Sequence, residues 1–266
     1  MRIILFLLLQ LLLVKSYTQE RAKIAFLYNY KHKIDTTLKD YFYTEKMILL
    51  QGDNTSIFKS YDAYTNDSTI KAQIRQSEGS INMSGLKIST KPVIRDMVLK
   101  NFVENKLLQI RYLLQYYYWN EPLHNMNWQI SQDTISLNSL KCQRATCAFK
   151  GRNYSAWFST EITSNNGPWK FGGLPGLIVN VTDSKNEISF DFAGYVSLTE
   201  NFVSLPPKSV ESTNEQYFKV RDAYLNDPMS FLQNSGSIGG NVKMTGLTSP
   251  LKGKKPINNP IELSNE

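Results

Sequence analysis

Lys141-Cys142-Gln143-Arg144-Ala145-Thr146-Cys147-Ala148-Phe149-Lys150-Gly151-Arg152-Asn153-Tyr154-Ser155-Ala156-Trp157-Phe158 opens the most regular part of the chain, which continues to Ala193. Cys142 to Phe149 reads as a strand, Gly151 as a turn, and Tyr154, Ala156 and Phe158 then alternate with Asn153, Ser155 and Trp157. A period of two places one set on each face of a sheet. Further on, Leu177 to Val181 and Ile188 to Phe192 flank Asp183-Ser184-Lys185-Asn186, a run of turn-forming residues. Strand, short turn, strand is the pattern of an antiparallel sheet.

Working outward, the same pattern recurs. Ile24, Phe26, Tyr28 and Tyr30 share a parity, and Met47 to Leu50 is a short apolar run ended by Gln51-Gly52-Asp53. Successive strands are expected at Val93-Ile94, Met97 to Leu99, Leu107 to Tyr112 and Leu114 to Trp119, with a short one starting at Trp128-Gln129-Ile130. Ser131 to Asn138 reads as polar and turn-rich. Two helices are expected. Ser60 to Glu78 carries Tyr61, Tyr64, Ile70 and Ile74 at near-helical spacing. After Pro206-Pro207, Ser212 and Glu215 can form a capping box, Tyr217, Phe218, Val220, Tyr224 and Leu225 can dock, and Pro228 ends the run. The expected fold is mainly β, a β-rich α+β arrangement built on a curved antiparallel sheet with a few helices.

Composition bounds the function. The 266 residues are 41% hydrophobic and 20% charged, in the globular range. Residues 1–18 read as a secretory signal peptide: Arg2 precedes an apolar run from Ile3 to Val14, which is too short for a spanning helix. The expected organisation is therefore a signal at 1–18, one β-rich domain at 19–234 and a flexible basic tail at 235–266, where Gly, Ser, Asn, Pro and Lys dominate. The expected location is across the inner membrane, periplasmic or associated with the outer membrane. Lys252-Gly253-Lys254-Lys255 serves solubility, or peripheral contact with anionic headgroups. No nucleic-acid motif is visible.

Gly167-Pro168-Trp169-Lys170-Phe171-Gly172-Gly173-Leu174-Pro175-Gly176-Leu177-Ile178 is the most unusual stretch. Gly173 and Gly176 permit positive φ or close backbone approach, and Pro168 and Pro175 restrict themselves and the residues before them. A stiff folded-back loop results, with Trp169, Phe171 and Leu174 held in set directions. This stretch resembles the name-giving motif of the GLPGLI, or Porph_ging, family of the Bacteroidota. Upstream, Cys142-Gln143-Arg144-Ala145, Phe149 to Tyr154, Ala156-Trp157-Phe158 and Glu161-Ile162 resemble the family's pattern in order and spacing, as does Asp183 downstream. Cys147 and Thr163 depart from it. The resemblance implies a secreted protein without an established reaction, often encoded near TonB-dependent outer-membrane transporters.

Candidate chemistry is sparse. Cys142 and Cys147 could form a disulfide in an oxidising compartment, but on one straight strand their Cα atoms would lie ~16 Å apart and face opposite sides. His32 and His124 are the only histidines, and no nucleophile elbow, zinc helix or phosphate loop is present. No metal site, cofactor or catalytic residue is assigned. Trp157, Trp169 and Phe171 suit a core; the rival reading makes Trp169 and Leu174 an exposed apolar rim for a partner or lipid chain. Arg152 and Glu161 lie too far apart on a strand to touch, so each pairs elsewhere, and Arg152 could bind an anion. The binding residues expected are Arg152, Tyr154, Trp157, Pro168, Trp169, Phe171, Gly173, Leu174, Pro175 and Gly176. The favoured function is a non-enzymatic periplasmic binding or accessory protein. It would take a peptide or lipid-like ligand and work with a TonB-dependent transporter or another envelope protein. A hydrolase using carboxylates or a lone histidine, and a structural envelope protein, are the alternatives.

Overall fold

The computed structural model describes residues 19–76, 93–123, 126–196, 198, 201–228, 230–231 and 257–264. In chain order the elements are β1 (Glu20–Arg21), β2 (Ile24–His32), β3 (Tyr43–Gln51), β4 (Thr55–Ser60), α1 (Tyr61–Gln76), β5 (Met97–Asn101), β6 (Lys106–Leu113), β7 (Gln115–Pro122) and β8 (Gln129–Leu137). There follow β9 (Leu140–Phe149), β10 (Arg152–Ser159), β11 (Leu177–Asp183), β12 (Ile188–Tyr195), β13 (Phe202–Val203), β14 (Val210–Glu211) and α2 (Asn214–Asn226). Twelve strands make one open sheet in the order β14-β7-β6-β5-β4-β3-β2-β12-β11-β10-β9-β8. Every pairing is antiparallel except β14 on β7. The mainly β reading of the sequence holds.

The sheet has two apolar faces. On one, Ala25, Ile48, Leu50, Ile57, Leu99, Leu108 and Ile110 pack with Tyr61 and Tyr64 of α1 and with Val196, Leu198, Val203 and Leu205. On the other, Phe26, Tyr28, Leu49, Phe58 and Leu107 from one half of the sheet share a core with Ala145, Tyr154, Phe158, Phe190 and Phe192 from the other. Strands far apart in sheet order meet in that cluster because the sheet curls around the 160–176 loop, which supplies Ile162, Trp169, Phe171 and Leu174. The alternation of Phe26, Tyr28 and Tyr30 is the β2 side of this core.

Four local expectations change. Val93-Ile94 forms no strand, since β5 begins at Met97. Ser131 to Asn138 is not a turn region: β8 runs to Leu137 as an edge strand paired only with β9. Both its faces are largely exposed, so it lacks the apolar alternation that reveals a strand. The cap of α2 lies one residue later than expected. The Thr213 hydroxyl accepts from Gln216 N, and the Gln216 side chain accepts from Thr213 N. Finally, the tail expected to be flexible over 235–266 is docked over 257–264, while 235–256 and the signal at 1–18 lie outside the described residues. Among the described residues no helix is long and apolar enough to cross a membrane.

Candidate functional site

The loop between β10 and β11 is a rigid insert. Phe171 N donates to Pro168 O at 3.0 Å, Gly173 N to Asn165 O at 2.8 Å and Ile178 N to Asn166 O at 3.0 Å. The Trp128 indole donates to Gly172 O at 2.9 Å. Beneath it, the buried Lys100 ammonium of β5 donates to Asn166 Oδ1 at 2.8 Å, Gly167 O at 3.1 Å and Phe171 O. Three donors meet three acceptors, which ties the loop to the opposite half of the sheet. Burial holds the Lys100 pKa down at about 7.

The two glycines singled out in the sequence serve different ends. Gly173 sits at φ +84° with open space where a Cβ would be. At Gly176 a Cβ would lie 2.2 Å from Ser159 O, so it is space that requires glycine there. Trp169 carries φ +49°, a costly conformation for a bulky residue, between Pro168 and Lys170. Its ring packs 5.2 Å from Phe171 and 5.8 Å from Phe149 between centroids, and Phe171 lies 4.8 Å from Tyr154. Trp169, Phe171 and Leu174 are all buried, so the exposed apolar rim does not form. Pro168 and Gly176 are buried too, Gly173 and Pro175 reach the surface, and Trp157 is half-buried at the edge of the core.

Trp169's conformation has a second consequence, because the next side chain, Lys170, points toward polar ground. Its ammonium is fully buried between Glu121 of β7 at 2.7 Å and Glu262 at 2.8 Å. Glu262 belongs to the segment Ile257-Asn258-Asn259-Pro260-Ile261-Glu262-Leu263-Ser264, which lies in a channel between the loop, the start of β10, the end of β2 and the β11–β12 turn.

Arg152 forms the floor of that channel, its side chain 3% exposed. One terminal nitrogen faces Asp183 at 3.0 Å and Glu187 at 3.3 Å. The other donates to Asn259 Oδ1 and to Pro260 O at 2.7 Å, and Nε donates to Ile261 O at 3.2 Å. Five acceptors thus serve a guanidinium with five N–H groups. Asp183 in turn accepts from the main-chain N–H of Glu187 at 2.7 Å and of Ile188 at 3.0 Å, fixing the turn that carries Glu187. Asn259 Nδ2 donates to Lys33 O at 2.8 Å and to Glu187 at 3.0 Å.

His32 completes the floor. Its Nε2 lies 2.8 Å from Asn259 O, a carbonyl that can only accept, so Nε2 carries the proton and Nδ1 accepts from the Tyr30 hydroxyl at 2.8 Å. Burial lowers its pKa to about 4, with the Arg152 charge adding to the effect; the Asn259 bond and the two carboxylates oppose it. At the flanks Asn258 accepts from Thr36 N at 2.9 Å and donates to Asp35 at 2.8 Å, and Leu263 N donates to Lys150 O at 2.9 Å. Gly151, at φ +76°, leaves room for the segment: a Cβ there would lie 2.9 Å from Leu263 Cβ.

These groups suit recognition by hydrogen bonds. Asp183 and Glu187 are engaged by Arg152, His32 is neutral and donating, and Glu161 accepts from Lys141 N at 2.9 Å instead of meeting Arg152. Cys142 and Cys147 are free and buried. The disulfide does not form, because β9 runs continuously through both positions and holds them apart. Burial raises both thiols, Cys147 to about 12. Among the described residues no group of three or more His, Cys, Asp or Glu is placed to hold a metal ion. His124 lies outside the described residues.

The loop and the start of the channel coincide with a family match. Residues 143–180 match the model for Porph_ging, described as a protein of unknown function. Over this stretch the chain is similar to the Porph_ging family. No curated protein matches the sequence. Two solved structures of PNGF-II, in the P21 and C2 space groups, are similar at TM-score 0.48 and 10% identity, covering 75% and 74% of this chain and 32% of theirs. The chain thus spans about a third of the length of those structures. The family match contains Gly151, Arg152, Tyr154, Lys170, Gly173 and Gly176, while their partners Lys100, Glu121, Asp183, Glu187, Asn259 and Glu262 lie outside it.

Of the expected binding residues, the structure brings Arg152 and Tyr154 to the channel, with the Tyr154 hydroxyl 3.5 Å from Ile261 O. The sequence reading missed Lys170, Glu121, Glu187, Asn259 and Glu262. Lys170 between Trp169 and Phe171 was the available signal: a lysine inside an apolar run must find a partner.

Proposed function

We propose that this protein is a secreted, non-enzymatic binding module that captures an extended polypeptide segment at the cell envelope. One observation carries the reading: eight residues without secondary structure lie in a channel whose buried cations address main-chain carbonyls, an asparagine amide and a carboxylate. Main-chain contacts supply affinity for an extended peptide, and side-chain partners at set positions supply selection. A lipid ligand is disfavoured because Trp169, Phe171 and Leu174 point into the core. The resemblance to that family implies TonB-dependent transporters encoded nearby, and an outer-membrane transporter, or another envelope protein, is the source of the segment that this reading suggests.

A peptide array probed with the purified full chain tests this. Peptides retained by the native protein and lost by Arg152→Met support the reading. An array that retains nothing, or turnover of a peptide substrate by the purified protein, refutes it.

A further inference from the structure

The occupant of the channel carries more than the channel does. Asn259 is the only buried residue of the 257–264 segment; Ile257 and Leu263 are 59% and 50% exposed. Ile261 alone packs against the main core. The segment is thus held by polar pairs, and little apolar surface resists its departure. Its contacts are also specific. The Asn259 side chain is read from both ends, Oδ1 by Arg152 and Nδ2 by Lys33 O and Glu187. Pro260 offers its carbonyl to Arg152 and places no N–H against the cationic floor. Three residues after Asn259, Glu262 meets Lys170.

The floor keeps partners without the segment. Arg152 retains Asp183 and Glu187, and Lys170 retains Glu121. Removing the segment opens these groups to water and leaves neither cation without a counter-charge, so an emptied channel avoids the main cost of a buried ion pair losing one member. The segment is joined to Phe231 by residues 232–256, so it competes as part of the same molecule.

We propose that the channel is a docking site for a partner protein's extended segment of the pattern Asn-Pro-aliphatic-Glu, and that residues 257–264 are its resident, displaceable occupant. The proposal rests on the segment-binding reading above and adds both the ligand's pattern and its regulation. A partner binds by replacing the resident copy pair for pair. An intramolecular competitor acts at an effective concentration on the order of 1 mM, so only a tightly binding or locally concentrated partner opens the site.

The test keeps the full chain. A site-specific protease sequence introduced within 240–250 lets the segment be severed after folding. The probe is the fluorescein-labelled peptide Ile-Asn-Asn-Pro-Ile-Glu-Leu-Ser, followed by anisotropy, with circular dichroism reporting the fold. The cut protein should exchange its segment for the probe and bind it at least ~10-fold more tightly than the uncut protein. Probes with Asp for the second Asn, or Lys for Glu, should bind at least ~10-fold more weakly; they leave the protein unchanged, so folding does not confuse the result. Retention of the severed segment for days, loss of the fold on its departure, or equal binding of all three probes overturns the proposal. An array in which Arg152-dependent peptides lack the pattern overturns it while leaving the segment-binding reading intact. Exchange of the probe with an otherwise empty array supports the resident occupant and removes the broader reading.

Discussion

Alanine at Gly176 should cost the protein far more stability than alanine at Gly173, although the two glycines sit three residues apart in one loop. At Gly173 the added methyl meets nothing within 4 Å, and the only cost is an L-residue at φ +84°, on the order of 1–2 kcal/mol. At Gly176 the methyl would lie 2.2 Å from Ser159 O, 2.5 Å from Ser159 C and 2.9 Å from Thr160 N. Ordinary contact needs about 3.4 Å, so the end of β10 must retreat by roughly 1 Å. Ser159 is fully buried and paired with Leu177, so the retreat strains the β10–β11 ladder. Overpacking of this kind costs ~1–3 kcal/mol, and each weakened ladder hydrogen bond adds ~1 kcal/mol. The expected total is about 3–4 kcal/mol, or roughly 6–16 °C in Tm at ~2–4 °C per kcal/mol for a domain of this size. Urea unfolding of the full chain, with circular dichroism and tryptophan fluorescence as coincident probes, gives both values. Gly173→Asn should be milder than Gly173→Val, since asparagine tolerates the left-handed region. Equal losses at the two sites, or a Gly176→Ala protein within ~0.5 kcal/mol of wild type, would refute the close-approach argument.

Asn259→Ala removes a buried amide and frees its acceptors, so Tm should fall by roughly 4–8 °C for a loss of ~2 kcal/mol; an unchanged Tm would show that the segment contributes nothing to the folded state. His32 titrates near 4 when folded and near 6.5 when unfolded, so the unfolded state binds more protons between these values and stability falls as pH drops through that window. The loss is on the order of 3 kcal/mol, and it should be absent in His32→Gln when unfolding at pH 7.5 and 4.5 is compared. Lys100 is also depressed, from 10.5 to about 7, so its contribution to stability should rise with pH across that interval and vanish in Lys100→Met; a pH-independent difference between the two proteins would count against it. Cys142 and Cys147 should resist a thiol reagent at pH 8 in the native protein and react together after unfolding in urea without reductant; failure to react then would mean they are bonded.

The strands were legible where one face is buried. Phe26, Tyr28 and Tyr30 announce β2 because their neighbours across the pleat differ from them in environment. β8 was not legible, since Gln129 to Leu137 faces water on both sides and owes its conformation to the β9 backbone. The site followed the same division. Arg152 and Tyr154 were readable within the regular hairpin, but Asn259 lies 107 residues from Arg152 and 227 from His32, and local pattern carries no information about such a meeting. The tail misled because its composition is that of a solvated segment; eight residues with one aliphatic anchor look disordered until the polar groups they satisfy are known.

The loop's stiffness and the channel's polar geometry are one property. Lys170 can be fully buried only because the turn from Pro168 to Phe171 holds Trp169 at φ +49° with its ring against Phe149 and Phe171. A relaxed backbone at Trp169 would rotate the following side chain away from Glu121 and Glu262. Trp169→Gly should therefore separate two effects. Glycine relieves the backbone strain but deletes the ring that anchors the turn, so Lys170 loses its fixed direction even if the fold survives. In the severed protein described above, the probe peptide should then bind the Trp169→Gly variant more weakly, while the Lys-for-Glu probe is no longer discriminated against. If the variant keeps full discrimination between the two probes, Lys170 is positioned by Glu121 alone, and the strained tryptophan contributes packing without orienting the site.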